Sequence, residues 1–169
     1  MTPFEEVTQF INDGLSVLKE AAPKKHREVF EVSLDQVFGV FKNLDTSYIA
    51  FEIPKKSGEM RQIEAPNRKL KWMQKGLKAQ LETLFEAEPG AHGFVPERSI
   101  QSNAGVHVGQ RYVLNLDIAG FFPSVKRGRV QTVLQLEPIG LSKPAARILA
   151  QFCTRHRALP QGAPTSPTL

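Results

Sequence analysis

The sequence predicts an α+β fold, in which N-terminal helices precede a β-hairpin and a strand-and-helix region. Three observations carry this prediction. Over the first 45 residues apolar side chains recur every three or four positions, the period of a helix with one buried face. From Ser47 to Ala65 the period drops to two, with a polar turn in the middle, as a hairpin requires. From Arg111 to Val125, RYVLNLDIAGFFPSV, an alternating stretch runs into Gly120 and Pro123, which end a strand in a turn.

The elements follow in order. Thr2-Pro3-Phe4-Glu5 supplies a cap, a proline at the first helical position and the acid of a capping box. Phe4, Val7, Ile11, Leu15 and Leu18 then form one apolar face, and Pro23 ends the helix. Lys24, Lys25, His26 and Arg27 make a short basic run of the kind found on solvated faces. Ser33 to Gln36 is a second capping box, ahead of Leu34, Val37, Phe38 and Phe41. Ile49, Phe51 and Ile53 alternate along the first hairpin strand, and Met60 to Ala65 return along the second. Asn67 to Phe85 is a helix with two stripes. Leu70, Met73, Leu77, Leu81 and Leu84 form the buried one, and Arg68, Lys71, Lys75 and Lys78 form a basic ridge. A short helix is expected over 99–107. A half-buried strand is expected from Arg111 to Asp117, with Tyr112, Leu114 and Leu116 on one face. A helix with Val125, Val130, Val133 and Leu134 follows, then one capped by Ser142 that buries Ile148, Leu149 and Phe152. Thr165-Ser166-Pro167 has the form of another helix start, so the chain stops inside an element and reads as a fragment.

Composition narrows the function. A chain of 169 residues, 41% hydrophobic and 23% charged, suits one globular domain. No apolar run approaches the roughly 20 residues of a membrane span, and MTPFEEVTQF lacks the pattern of a signal peptide. Cys153 is the only cysteine, which excludes a disulfide framework and a cysteine-rich zinc site and suits a reducing cytoplasm. A net charge of +5 and a pI near 9.5 permit a polyanionic partner.

Four stretches carry candidate chemistry. Asp117, at a strand end beside a Gly/Pro turn, suits a metal ligand, and equally a cap of the next helix. Lys55 and Lys56 in the hairpin tip, with Arg61 on the returning strand, suit a phosphate chain, or a solubilising tip. The ridge of Arg68, Lys71, Lys75 and Lys78 suits a nucleic-acid backbone, or a solvated face. Gly162, in the last loop LPQGAPTSPTL, allows backbone to approach a ligand closely. His92 and His107 keep no metal spacing with a third ligand, and read as structural histidines or RNA-facing donors.

Taken together, IPKKSGEMRQIEAP, AHGFVPERSIQSNAGVH, YVLNLDIAGFFPSV and LPQGAPTSP resemble the blocks of a reverse transcriptase, in order, over residues 48 to 169. Asn103-Ala104, His107 and AHGF resemble the bacterial retron type, with group II intron enzymes as the near neighbour. The resemblance implies the fingers hairpin and incomplete palm of a right-hand polymerase. It divides the chain into an N-terminal helical region (1–45), fingers (46–110) and partial palm (111–169). It implies that Asp117 is the first catalytic aspartate on two Mg²⁺ ions and that Ile118 offers one of them a backbone carbonyl. Phe122 becomes the residue that blocks a ribose 2′-OH, Gln161 and Gly162 the loop on the incoming nucleotide, and Arg61 with Lys55 or Lys56 its phosphate contacts. His92 and Arg98 join the basic ridge as RNA contacts. The implied partners are an RNA template, a DNA or RNA primer, deoxynucleoside triphosphates and a retron effector protein, with a role in antiviral defence. The YxDD block that completes the metal site is expected beyond residue 169, so the chain by itself is expected to be inactive. Glu97 stands where the family usually has glycine, and Ala119-Gly120 replaces a more polar pair. Outside the polymerases, the alternative is a non-catalytic RNA-binding or protein-binding fragment.

Overall fold

The computed structural model describes residues 1–21, 31–55 and 58–169. The basic run of residues 24–27 and Lys56 lie outside the described residues. In chain order the elements are α1 (Pro3–Ala21), α2 (Leu34–Lys42), a 3-10 turn (Leu44–Ser47), β1 (Tyr48–Pro54), β2 (Met60–Pro66), α3 (Arg68–Leu84), α4 (Ile100–Gly105), α5 (Phe121–Ser124), α6 (Arg127–Gln135) and α7 (Lys143–Cys153). Helices with one two-stranded antiparallel hairpin bear out the α+β class.

Local signals place the helix ends. The Thr2 amide donates to Glu5 Oε2 at 2.6 Å and the Glu5 amide to Thr2 Oγ1 at 3.3 Å, closing the expected capping box. Ser33 and Gln36 close the second. Asn67 caps α3 through the Leu70 amide at 3.0 Å. Ser142 caps α7 and also binds α1: its amide donates to Glu6 Oε1 at 2.7 Å and its hydroxyl to Glu6 Oε2 at 2.6 Å.

The core is built where α1 crosses α3. Val7, Phe10, Ile11 and Leu15 meet Leu70, Met73, Leu77 and Leu81, all buried. Two glycines set the spacing. A Cβ on Gly14 would stand 1.8 Å from the Gly76 carbonyl oxygen, and one on Gly76 2.6 Å from that of Ile11. The backbones touch, and no other residue type fits at either position. Helix α7 packs on α1, α3 and α6 with Ile148, Leu149 and Phe152 inward. One cluster therefore draws on all three stretches of the chain. No helix among the described residues is long and apolar enough to cross a membrane.

One expectation is corrected. The half-buried strand over 111–117 does not form. These residues take up no regular structure, and Tyr112 and Leu114 are 81% and Leu116 80% exposed. A strand needs a ladder partner and a core to cover one face. Among the described residues β1 and β2 pair only with each other, so 111–117 has neither. At Thr165-Ser166-Pro167 the chain makes a turn in which the Thr168 and Leu169 amides donate to the Thr165 carbonyl at 3.1 and 3.2 Å, the second bond having the four-residue spacing of a helix.

Candidate functional site

The hairpin and the last loop form one unit. Tyr48 pairs with Pro66 and Ile53 with Arg61 in the antiparallel register. The Glu64 amide, on the outer side of β2, donates to the Gln161 carbonyl at 2.8 Å. Gly162 follows with φ 132°, and a Cβ there would stand 2.9 Å from Ile63 Cγ2 and 3.1 Å from the Glu64 carbonyl oxygen. The close approach that the glycine permits is thus made to β2. It fixes Gln161-Gly162 against the strand that carries Arg61.

The joint is held from below by groups that the sequence reading did not single out. Arg155 Nη1 lies 3.2 Å and His156 Nε2 3.5 Å from Glu64 Oε1. The Arg155 guanidinium lies 5.6 Å from the centre of the Tyr48 ring. Gln74, buried on α3, donates to the Tyr48 hydroxyl at 2.8 Å and to the Phe152 carbonyl at 2.7 Å. Burial, more than any other influence, pushes the Tyr48 phenol above its ordinary range. In the sequence Arg155 and His156 stand in the run Arg155-His156-Arg157, and nothing in it names Glu64 as a partner.

At the hairpin tip Arg61 stands opposite Ile53, and Lys55 follows two residues on. Both side chains are exposed at the free end. Lys55 Nζ pairs with Glu59 Oε2 at 2.8 Å, and this hydrogen bond, with the ammonium charge, lowers the Glu59 carboxyl below its usual range. Arg61 has no partner among the described residues.

Asp117 lies in the exposed stretch before the turn and makes no hydrogen bond or ion pair with the described residues. It does not cap α5; that helix begins at Gly120, φ 63°, with no side-chain cap. Phe122 is half-buried against the core, with its ring 5.8 Å from that of Phe121. The structure does not bring Asp117 into contact with Arg61, Gln161 or Gly162.

On α3 the ridge is real as a face: Arg68, Lys71 and Lys75 are exposed opposite the buried stripe. Lys78 is paired with Glu82 at 3.2 Å. His92 Nδ1 is 2.9 Å from Ser102 Oγ. Arg98 Nη1 donates to the carbonyls of Glu88 at 2.7 Å, Pro89 at 3.1 Å and Ala91, and so folds its own loop. Glu97, where the resemblance expects glycine, has φ 62°, the left-handed backbone that glycine enters freely.

Two hard cations, each with six or more oxygen ligands, need several carboxylates. Among the described residues no three His, Cys, Asp or Glu side chains gather as a metal site. Asp117 and the Ile118 carbonyl give a single carboxylate and one further oxygen, which does not fit a two-metal centre on its own.

The profile of a family described as "Reverse transcriptase (RNA-dependent DNA polymerase)" matches residues 53–169. The chain belongs to the reverse transcriptase family. The family match begins inside β1 and takes in the hairpin tip, the ridge, Asp117 and the last loop. The retron Mx65 reverse transcriptase of Myxococcus xanthus is 41% identical over 140 residues, covering 72% of this chain and 32% of the relative. The retron Mx162 reverse transcriptase of the same organism is 34% identical over 173 residues, covering 92% and 36%. The retron Ec86 reverse transcriptase of Escherichia coli is 31% identical over 140 residues, covering 82% and 43%. The retron resemblance is borne out. The chain spans well under half the length of these curated relatives.

Proposed function

We propose that the chain is the fingers and first part of the palm of a retron-like reverse transcriptase, which adds deoxynucleotides to a DNA or RNA primer on an RNA template. The family match over 53–169 carries this reading, and the hairpin–loop joint supports it. In it, residues 1–45 are a helical support, 46–110 the fingers and 111–169 the partial palm. Arg61 and Lys55 take the phosphates of the incoming nucleotide, with Gln161 and Gly162 held beside them by Glu64. Phe122, fixed by the core, stands against the sugar. Arg68, Lys71 and Lys75 follow the template backbone. Asp117 and the Ile118 carbonyl contribute to two Mg²⁺ ions whose other ligands lie in the portion of the relatives that the chain does not span. The working compartment is the cytoplasm.

The single candidate metal carboxylate, Asp117, supports a second part of the reading: the 169-residue chain alone does not polymerise. Primer extension on poly(rA) with oligo(dT), thymidine triphosphate and Mg²⁺ tests both parts. The longest polypeptide that the gene encodes should extend the primer, and the 169-residue chain should not. Extension by the short chain would remove the single-carboxylate argument. No extension by the long one would remove the enzyme reading.

A further inference from the structure

A second basic feature adjoins the hairpin–loop joint and shares His156 with it. A cavity of about 640 Å³ opens between α6, α7 and the turn after α7. Lys126, Arg127, Arg147, His156 and Arg157 line it. Amides of Gln131 and Gln151 complete the wall, and no carboxylate contributes to it. None of the four Lys and Arg side chains has an ion pair with a described residue. Arg127 Nε donates to Thr154 Oγ1 at 2.8 Å, so this guanidinium is fixed before any ligand arrives.

The turn that brings His156 and Arg157 there is strained. Arg155 and Ala158 exchange backbone hydrogen bonds of 2.9 and 3.0 Å, which leaves His156 and Arg157 as the two central residues of a tight turn. Both have left-handed backbone, φ 48° and 63°. Turns of this kind favour Asn-Gly, because a larger side chain in left-handed backbone costs about 1–2 kcal/mol. Here the two positions hold a histidine and an arginine. The Arg127 amide donates to the Arg157 carbonyl at 2.8 Å and the Leu159 amide to the Val125 carbonyl at 3.1 Å, which locks the turn to the start of α6. Partial burial and the Arg157 charge lower the Arg127 guanidinium, while Asp45 opposes the shift. Gathering like charges in this way is unfavourable until an anion enters. A second cavity, of about 860 Å³, continues from Gln131, Arg147 and Gln151 towards Phe4 and Phe41. The path is longer than one phosphate and has an apolar end.

We propose that this cleft binds the phosphodiester backbone of a single RNA strand outside the nucleotide site, with Arg127, Arg147 and Arg157 as its phosphate contacts. The arginine fork matches phosphate oxygens in pairs, and an apolar end suits an unpaired base. The proposal rests on the reverse transcriptase reading for its choice of RNA over another polyanion.

The test is anisotropy of a fluorescent 12-nucleotide RNA bound to the 169-residue chain, from 50 to 300 mM salt. Arg147→Gln with Arg157→Gln removes two exposed cations that hold no described group in place. Two lost contacts should make the slope of log affinity against log salt shallower by about 1.4. The same loss is about 25-fold in affinity at 0.1 M salt. An unchanged slope and affinity, with an unchanged circular dichroism spectrum, would overturn the proposal. Should the double variant unfold, crosslinking of 4-thiouridine RNA to the wild type decides instead: adducts within 126–157 support the cleft, and their absence rejects it. Displacement of the RNA by pyrophosphate at matched ionic strength would reassign the cleft to a small anion. Stronger displacement by poly-glutamate than by unlabelled RNA of equal charge would reassign it to an acidic protein. Primer extension by the longest encoded polypeptide is a separate readout. It should persist in the double variant, so failure here and failure of the enzyme reading are distinguishable.

Discussion

Replacing Gly14 by alanine should part the two helices on which the core is built. The new Cβ would stand 1.8 Å from the Gly76 carbonyl oxygen and 2.7 Å from the Gln80 amide nitrogen. A carbon–oxygen contact relaxes to about 3.3 Å, so α1 must move from α3 by about 1.5 Å. A gap of ~0.5–1 Å already forfeits a quarter to a half of each dispersion contact, and Ile11, Leu15, Leu77 and Leu81 all lie on this interface. Overpacking of this kind costs about 3 kcal/mol, at the upper end of its usual range. Alanine returns about 1 kcal/mol through helix propensity, for a net loss of about 2 kcal/mol. Gly39, inside α2, is the control, because a Cβ there meets nothing within 4 Å. Gly39→Ala should therefore gain up to about 1 kcal/mol. The two variants should differ by about 3 kcal/mol, or ~6–12 °C in Tm for a chain of this size. Urea and thermal unfolding followed by circular dichroism measure the difference. Equal stability of the two alanine variants would refute the crossing as described.

Three further outcomes are expected. Phe122→Ala, in the longest encoded polypeptide, should raise the ratio of ribo- to deoxynucleotide incorporation; because the ring is half-buried it should also cost about 2 kcal/mol, and an unchanged ratio in folded protein would remove the gate. Changing Lys71, Lys75 and Lys78 to Gln should flatten the salt dependence of RNA binding by about 1.4 units from Lys71 and Lys75, with little from Lys78 because Glu82 already holds it; identical slopes would leave the ridge a solvated face. Burial pushes the Cys153 thiol up to about 12. The unfolded chain therefore ionises first, and stability should fall with rising pH, from about 9 towards 12, by up to ~1.4 kcal/mol per unit from this thiol. Cys153→Ala should flatten that limb in pH-dependent urea unfolding, and an unaltered limb would contradict the shift.

Local chemistry was legible in the sequence. The capping boxes at Thr2 and Ser33, the Ser142 cap, α3 and the hairpin all came from residues within a few positions of one another, and each formed where expected. Pairings across the chain were not legible. Nothing local marks Gly14 and Gly76 as partners, since each is an ordinary glycine in a helical stretch. Glu64 meets Arg155 only because the last loop lies on β2. Arg127, Arg147 and Arg157 are spaced too widely to read as one cleft. The strand at 111–117 failed for the converse reason: its alternation is a local signal, but a strand also needs a neighbour, and the described residues supply none. For the site, residue types and order were legible through the family blocks. The geometry joins Gln161 and Gly162 to the strand of Arg61 but leaves Asp117 exposed and unpaired.

The proposed function makes Asp117 a metal-binding acid of a polymerase and not a surface carboxylate. Asp117→Asn in the longest encoded polypeptide, assayed by primer extension on an RNA template, tests it most directly. The substitution touches no described hydrogen bond or ion pair, so the unfolding transition should not move. Synthesis should fall by at least about a hundredfold, the scale of losing one group that stabilises the transition state. Extension at a rate near that of the wild type, from protein of equal stability, would contradict the assignment.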